Sequence, residues 1–159
     1  MNEKRLLFVC TGNTCRSIMA EGLMQLVLRQ AGVEHVTVES AGVFAIEGLS
    51  PTREALSVLL EVGVDASHHR ARGLTGPLVQ EADVIFVMEP FQTEEVIRRF
   101  PAAQGKIHLL KSYGLKPEEV GVHAHIPDPI GKPLEVYEVC FAEIREAVQR
   151  IAKSLKVPR

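Results

Sequence analysis

No apolar run in this chain approaches the roughly 18 residues that a membrane-crossing helix needs, so no membrane association is expected. Charge of one sign is also lacking: 18 Lys and Arg stand against 20 Asp and Glu, a net charge of −2. A dedicated nucleic-acid binder shows a basic excess or stripe, so that class is set aside. Cysteine is sparse. The three present are an odd number without framework spacing, which fits a reducing cytoplasm better than a secreted disulfide scaffold. Cys10 and Cys15 are not at C-x-x-C spacing and have no companion ligands, so a zinc site is not expected. Lys4 and Arg5 precede apolar Leu6–Val9, but that stretch is too short for a signal h-region and lacks a cleavage site. No internal repeat, low-complexity tract or linker is visible. The 159 residues read as one domain, 1–159, large enough for a core without staples.

What is present is concentrated in residues 5–22, RLLFVCTGNTCRSIMAEG. Leu6–Val9 is a short apolar run of the kind that makes a buried strand. Thr11, Gly12, Asn13 and Thr14 offer turn chemistry, and a helical pattern starts near Arg16 or Ser17. A strand that passes through a tight polar loop into a helix leaves backbone N–H groups converging on one spot. The helix dipole adds positive potential there, which suits an anion or a phosphate. Cys10 opens that loop and Arg16 closes it. The positive setting favours a thiolate, the nucleophilic form of cysteine. Arginine offers a planar fork for two oxygens of a phosphoryl group.

Further along, Ile18, Met19, Leu23, Leu26 and Val27 recur at helical spacing up to Ala31-Gly32. His35–Ser40 alternates as a second strand, closed by Ala41-Gly42. Ser50 followed by Pro51 reads as an N-cap and first helical position, with the helix running to Gly63. Asp65–Arg72 is a polar turn region, and Thr75 caps a short helix to about Glu81. Ala82–Met88 is the clearest buried strand, Glu94–Phe100 a short helix, and Lys106–Leu110 a fourth strand. Gly114–Pro133 is a long loop. A final helix follows, carried by Val136, Val139, Cys140, Ile144, Val148, Ile151 and Leu155. Such alternation predicts an α/β fold, a parallel sheet with helices on both faces. Ligands in these sheets sit beyond the carboxyl ends of strands at the switch point, where the loop after strand one lies.

Cys10-Thr11-Gly12-Asn13-Thr14-Cys15-Arg16-Ser17 resembles the C-x5-R-S phosphate loop of the low-molecular-weight protein tyrosine phosphatases. The resemblance extends over most of the chain. It implies a small Rossmann-like domain with four parallel strands and hydrolysis of phosphorylated protein side chains, without a cofactor. Cys10 is then the nucleophile that takes the phosphoryl group. Arg16 and the loop N–H groups of Thr11, Gly12, Asn13, Thr14, Cys15 and Ser17 hold its oxygens. The leaving group needs a proton donor. Asp128, in Ile126-Pro127-Asp128-Pro129, is the candidate, because the flanking prolines restrict its backbone. By itself Pro-Asp-Pro also reads as a plain turn; the Asp-Pro that relatives carry as general acid matches Asp128-Pro129.

Ser17 can donate to the Cys10 thiolate, or be an ordinary serine of a helix start. Asn13 tolerates a left-handed conformation, and the family uses the matching Asn to hold the loop's shape. His69 matches a histidine that supports the loop from behind. His68, His123 and His125 raise the idea of a metal, but no carboxylate or cysteine stands at a ligand spacing, so none is expected. Arg70 and Arg72 are either an attraction for anionic substrate or an exposed face. The cysteine matching Cys15 forms a reversible disulfide with the nucleophile in relatives. Many tyrosine-directed relatives carry an aliphatic residue at position 14, whereas the bacterial protein arginine phosphatases carry Thr, as here. Ile130 and Gly131 stand where tyrosine-directed members often have aromatic residues, and Phe44 is the nearby aromatic. Ile18 replaces the Pro common after Arg-Ser.

Two alternatives accompany this reading. Thioredoxin-coupled arsenate reductases share a similar loop but need two more cysteines mid-chain, and residues 82–99 contain none. A phosphoresidue-binding module would lack the nucleophile or the acid, and both are present. The expected partners are phosphorylated proteins, with the chain a monomer or weak homodimer.

Overall fold

The computed structural model describes residues 3–121 and 124–155. His123, weighed above as a metal candidate, lies outside the described residues. Four strands form one all-parallel sheet: β1 (Lys4–Cys10), β2 (Val36–Gly42), β3 (Val84–Val87) and β4 (Ile107–Leu109), in the order β2-β1-β3-β4. The helices are α1 (Arg16–Gln30), α2 (Arg53–Glu61), α3 (Gly76–Glu81), α4 (Pro90–Arg99) and α5 (Leu134–Ser154). Short 3-10 turns occupy Pro101–Lys106 and Pro117–Glu119.

Alternate residues of a strand face opposite sides of its sheet. In β1, Leu6, Phe8 and Cys10 join one core cluster with residues of α1, α2 and α5. Leu7 and Val9 join the other, with Val79 of α3 and Val96 of α4. Both faces are therefore covered, and β1 is buried from Leu6 to Cys10. This is why its sequence is continuously apolar rather than alternating. The expected α/β architecture with helices on both faces is the one observed. The chain leaves β1 toward β2 on one side and returns to β3 on the other, so the loop after β1 opens at the switch point.

Several boundaries differ from expectation, each for a physical reason. Strand β2 continues through Ala41 to Gly42, because Gly42 pairs with Cys10 and bridges Gly73. The cap of α2 is Thr52, not Ser50: its side chain accepts from Ala55 N–H at 3.2 Å. Helix α4 starts at Pro90, four residues before Glu94, since Pro90 sits in its first turn and Gln92 serves the N–H groups at its entry. Thr75 does cap α3, accepting from Leu78 N–H at 3.4 Å.

Candidate active site

The loop from Cys10 to Ser17 is wound tightly enough that its backbone N–H at Asn13 comes back to Cys10 Sγ, at 3.3 Å. Asn13 makes this possible with φ +57°, the only positive φ at a non-glycine among the described residues. Asparagine tolerates that region better than other L residues. Its side chain, fully buried, then anchors the loop from three directions. Nδ2 donates to Ser17 Oγ at 2.8 Å and to Ser40 Oγ at 3.0 Å, while Oδ1 accepts from Arg72 N–H at 3.0 Å. Ser40 in turn bonds Glu21. His69 Nε2 reaches the Asn13 carbonyl at 3.0 Å. Ser17 Oγ accepts from Asn13, which leaves its O–H for Cys10 Sγ, 3.0 Å away.

Close approach of β2 completes the winding. A Cβ on Gly42 would lie 2.6 Å from the Thr11 carbonyl oxygen and 3.0 Å from Asn13 N, so only glycine fits beside the loop. Beyond it, Val43 and Phe44 N–H donate to the Cys10 and Thr11 carbonyls, each at 2.9 Å. Thr14, also buried, accepts through its carbonyl from Thr52 N–H at 3.0 Å.

Arg16 is 1% exposed. Its NH1 donates to Glu89 Oε2 and to the Ile126 carbonyl, each at 2.7 Å, and NH2 lies 3.5 Å from Asp128 Oδ2. Burial works against the guanidinium charge, but Cys10, Glu89 and Asp128 outweigh it and hold the Arg16 pKa above its ordinary value. Arg16 Nε has no hydrogen-bond partner among the described residues. Leaving such a buried donor unsatisfied costs about 1–3 kcal/mol or more. Helix α1 also starts without a side-chain cap hydrogen bond from its N-cap residue Cys15, and no acidic residue stands in its first turn. A bound oxyanion satisfies both deficits at once.

Asp128 stands at the rim, its side chain 37% exposed. Oδ1 accepts from Ile130 N–H at 3.1 Å and lies 3.9 Å from Cys15 Sγ. Ile126 N–H donates to the Met88 carbonyl at 2.9 Å, so the segment carrying Asp128 is pinned at the end of β3. Burial, then the nearby Cys10 and Asp128, push the Cys15 thiol well above the usual range, and all three cysteines are free thiols.

The sequence profile described as low molecular weight phosphotyrosine protein phosphatase matches residues 5–158. The chain belongs to that family. Among relatives of this phosphatase, a protein-arginine-phosphatase of Geobacillus stearothermophilus is 37% identical over 152 residues, 96% of each chain. A probable low molecular weight protein-tyrosine-phosphatase, EpsP, of Ralstonia nicotianae is 39% identical over 145 residues, 91% of each. A solved structure of YwlE arginine phosphatase, a Cys-to-Ser mutant with a phosphorylated active-site serine, superposes with a TM-score of 0.87 at 33% identity. It covers 98% of this chain and 97% of that one. The chain is thus a low molecular weight protein phosphatase, a hydrolase acting on phosphoarginine or phosphotyrosine.

In this phosphatase every residue singled out between Cys10 and Ser17, together with His69 and Asp128, gathers around one loop. Arg70 and Arg72 do not join them as free charges. Arg70 NH1 bonds the Ser67 and His69 carbonyls, and Arg72 bonds the Ser40 carbonyl and Glu39. Phe44, 58% exposed, lies under the Arg99 guanidinium at 5.2 Å. Sequence reasoning missed Ser40, Gly42, Glu89, Gln92 and the Ile126 carbonyl. Gly42 carried a signal, a glycine closing a strand; the others carry none, because only the fold brings them to the loop.

Proposed function

We propose that this phosphatase works through a cysteinyl-phosphate intermediate on Cys10. Sγ attacks phosphorus: an S–P bond forms and the P–N or P–O bond to the protein side chain breaks. Asp128 gives the leaving group its proton. Water then attacks phosphorus, the S–P bond breaks, and Asp128 takes the water's proton. Arg16 and the N–H groups from Thr11 to Ser17 stabilise the equatorial oxygens throughout. Ser17 and Asn13 hold the sulfur, and His69 holds Asn13.

The observation that carries this reading is a buried arginine with an unpaired Nε beside a helix start without a side-chain cap, in the loop that Cys10 opens. The phosphorylated serine replacing a cysteine in the YwlE mutant supports it. Thr14 favours phosphoarginine, since a buried hydroxyl there suits a P–N substrate or the attacking water better than an aliphatic group. Turnover of phosphoarginine and phosphotyrosine peptides, with Cys10→Ser as blank, tests this. Phosphoarginine is expected to be preferred, and Thr14→Ile to erode the preference; a phosphotyrosine preference overturns the Thr14 argument but not the phosphatase.

Cys15 serves as a resolving thiol: oxidation of Cys10 to a sulfenic acid by peroxide, then attack by Cys15, gives a disulfide and water. Peroxide-treated enzyme should recover with dithiothreitol; a Cys15→Ser variant recovering equally well removes the role.

A further inference from the structure

Gln92 has no part in the chemistry described above, yet among the described residues it is the one fully buried glutamine, 0% exposed, in the first turn of α4. Its Oε1 accepts from Met88 N–H at 2.8 Å and Glu89 N–H at 3.0 Å. Its Nε2 donates to Thr11 Oγ1 at 3.1 Å. A buried amide is costly unless its polar atoms are paired, and a methionine of equal length would fill the same space more cheaply. This amide sits where the turn between β3 and α4 meets the phosphate loop. Three residues before it, Glu89 places Oε2 on Arg16 NH1. A continuous chain of bonds therefore runs from the Thr11 hydroxyl through Gln92 to the Glu89 backbone, and from the Glu89 carboxylate to the guanidinium.

We infer that Gln92 is a positioning residue for the reaction: it fixes the separation between the phosphate loop and the carboxylate that orients Arg16. The inference rests on the role proposed for Arg16. An arginine fork helps most when both of its N–H groups meet the oxygens of the transition state, and small misplacements there are costly. Glu89 alone does not define that placement. It is the N-cap residue of α4, and its backbone N–H is taken by the Gln92 side chain. Besides the Val9–Val87 strand pairing and the Glu89–Arg16 bond itself, the Gln92 bridge is the contact that sets how the turn lies against Thr11.

The test compares Gln92→Met with the parent enzyme on an aryl phosphate, alongside Glu89→Gln and the double variant. The Gln92→Met kcat is expected to fall about 10- to 100-fold while KM moves by less than about threefold, because a transition-state contact is lost. In the Glu89→Gln background the same substitution should cost less than about threefold, since both act through one guanidinium. A structural role alone would lower the melting temperature and leave kcat per folded molecule unchanged. That result, or full losses that multiply in the double variant, overturns the inference. If Gln92→Met does not fold, Gln92→Asn, too short to span both partners, is judged by the same criteria. Arg16→Ala separates the two proposals: if it retains activity the clamp itself fails, whereas an inactive Arg16→Ala beside a fully active Gln92→Met removes only the positioning role.

Discussion

The two halves of the proposed active site are built in opposite ways. The loop from Cys10 to Ser17 is buried apart from half-buried Thr11 and Gly12, and its central residue Asn13 makes three side-chain bonds to three separate segments. The segment bearing Asp128 is exposed at Pro127 and Asp128 between buried Ile126 and Pro129, and is fixed by the Ile126 backbone, by Arg16 and by two prolines. An anion cradle must present its donors in place before charge develops, so rigidity favours it. A group that gives a proton in one step and takes one in the next needs access to leaving group and water, and exposure favours that. Arg16 ties the halves together, touching the Ile126 carbonyl of one and carrying the unpaired Nε in the other.

That contrast can be broken most severely at its centre. Cys10→Ser is expected to lower turnover by at least about 10⁴-fold, with folding intact, in a steady-state assay of an aryl phosphate. Asp128→Asn should lower it by about 10²- to 10⁴-fold, while its stability in urea stays within about 0.5 kcal/mol of the parent. An Asp128→Asn enzyme at parental rate removes the general acid. Asn13→Ala attacks the rigid half through its support. It leaves the Arg72 N–H and the Ser17 and Ser40 hydroxyl oxygens without their partner and an alanine in a left-handed conformation, so chemical denaturation should show a loss of about 2–4 kcal/mol. Equal stability losses from Asn13→Ala and Asp128→Asn would erase the comparison.

The smallest effect concerns pH. Burial pushes the Cys140 thiol up to about 12 and the Cys15 thiol upward as well. The unfolded chain releases these protons at lower pH than the folded one. Their contribution to stability is therefore complete below the unfolded thiol pKa and is lost as pH rises above it. Melting temperature should fall between about pH 9 and 12, and Cys140→Ala should flatten that slope. An identical slope in the variant would show that another group titrates.

The phosphate loop was legible because its parts are contiguous: an apolar strand, turn residues and a helix start leave little freedom in how Cys10 and Arg16 meet. The sheet was legible for a related reason, since buried parallel strands read as short apolar runs at Leu6–Val9 and Ala82–Met88. Helix entries were less so. Ser50-Pro51 carries a good local signal, but Thr52 lies where the backbone turns, tied by its N–H to the Thr14 carbonyl. Arg70 and Arg72 stayed undecided in the sequence between an attraction for anions and an exposed face, because nothing local announces the Ser40 carbonyl, about thirty residues away in sequence, that engages one of them.

Sequence alone determined the loop and the places in it of Cys10 and Arg16, the proposed nucleophile and clamp, because a turn of eight residues is governed by local sterics and hydrogen bonding. Tertiary structure alone decided what holds them still. Glu89 on Arg16, Gln92 on Thr11, Ser40 on Asn13 and the space that only Gly42 leaves all depend on strands packed side by side. Pairing of parallel strands joins residues remote along the chain, and no local preference records which of them will meet.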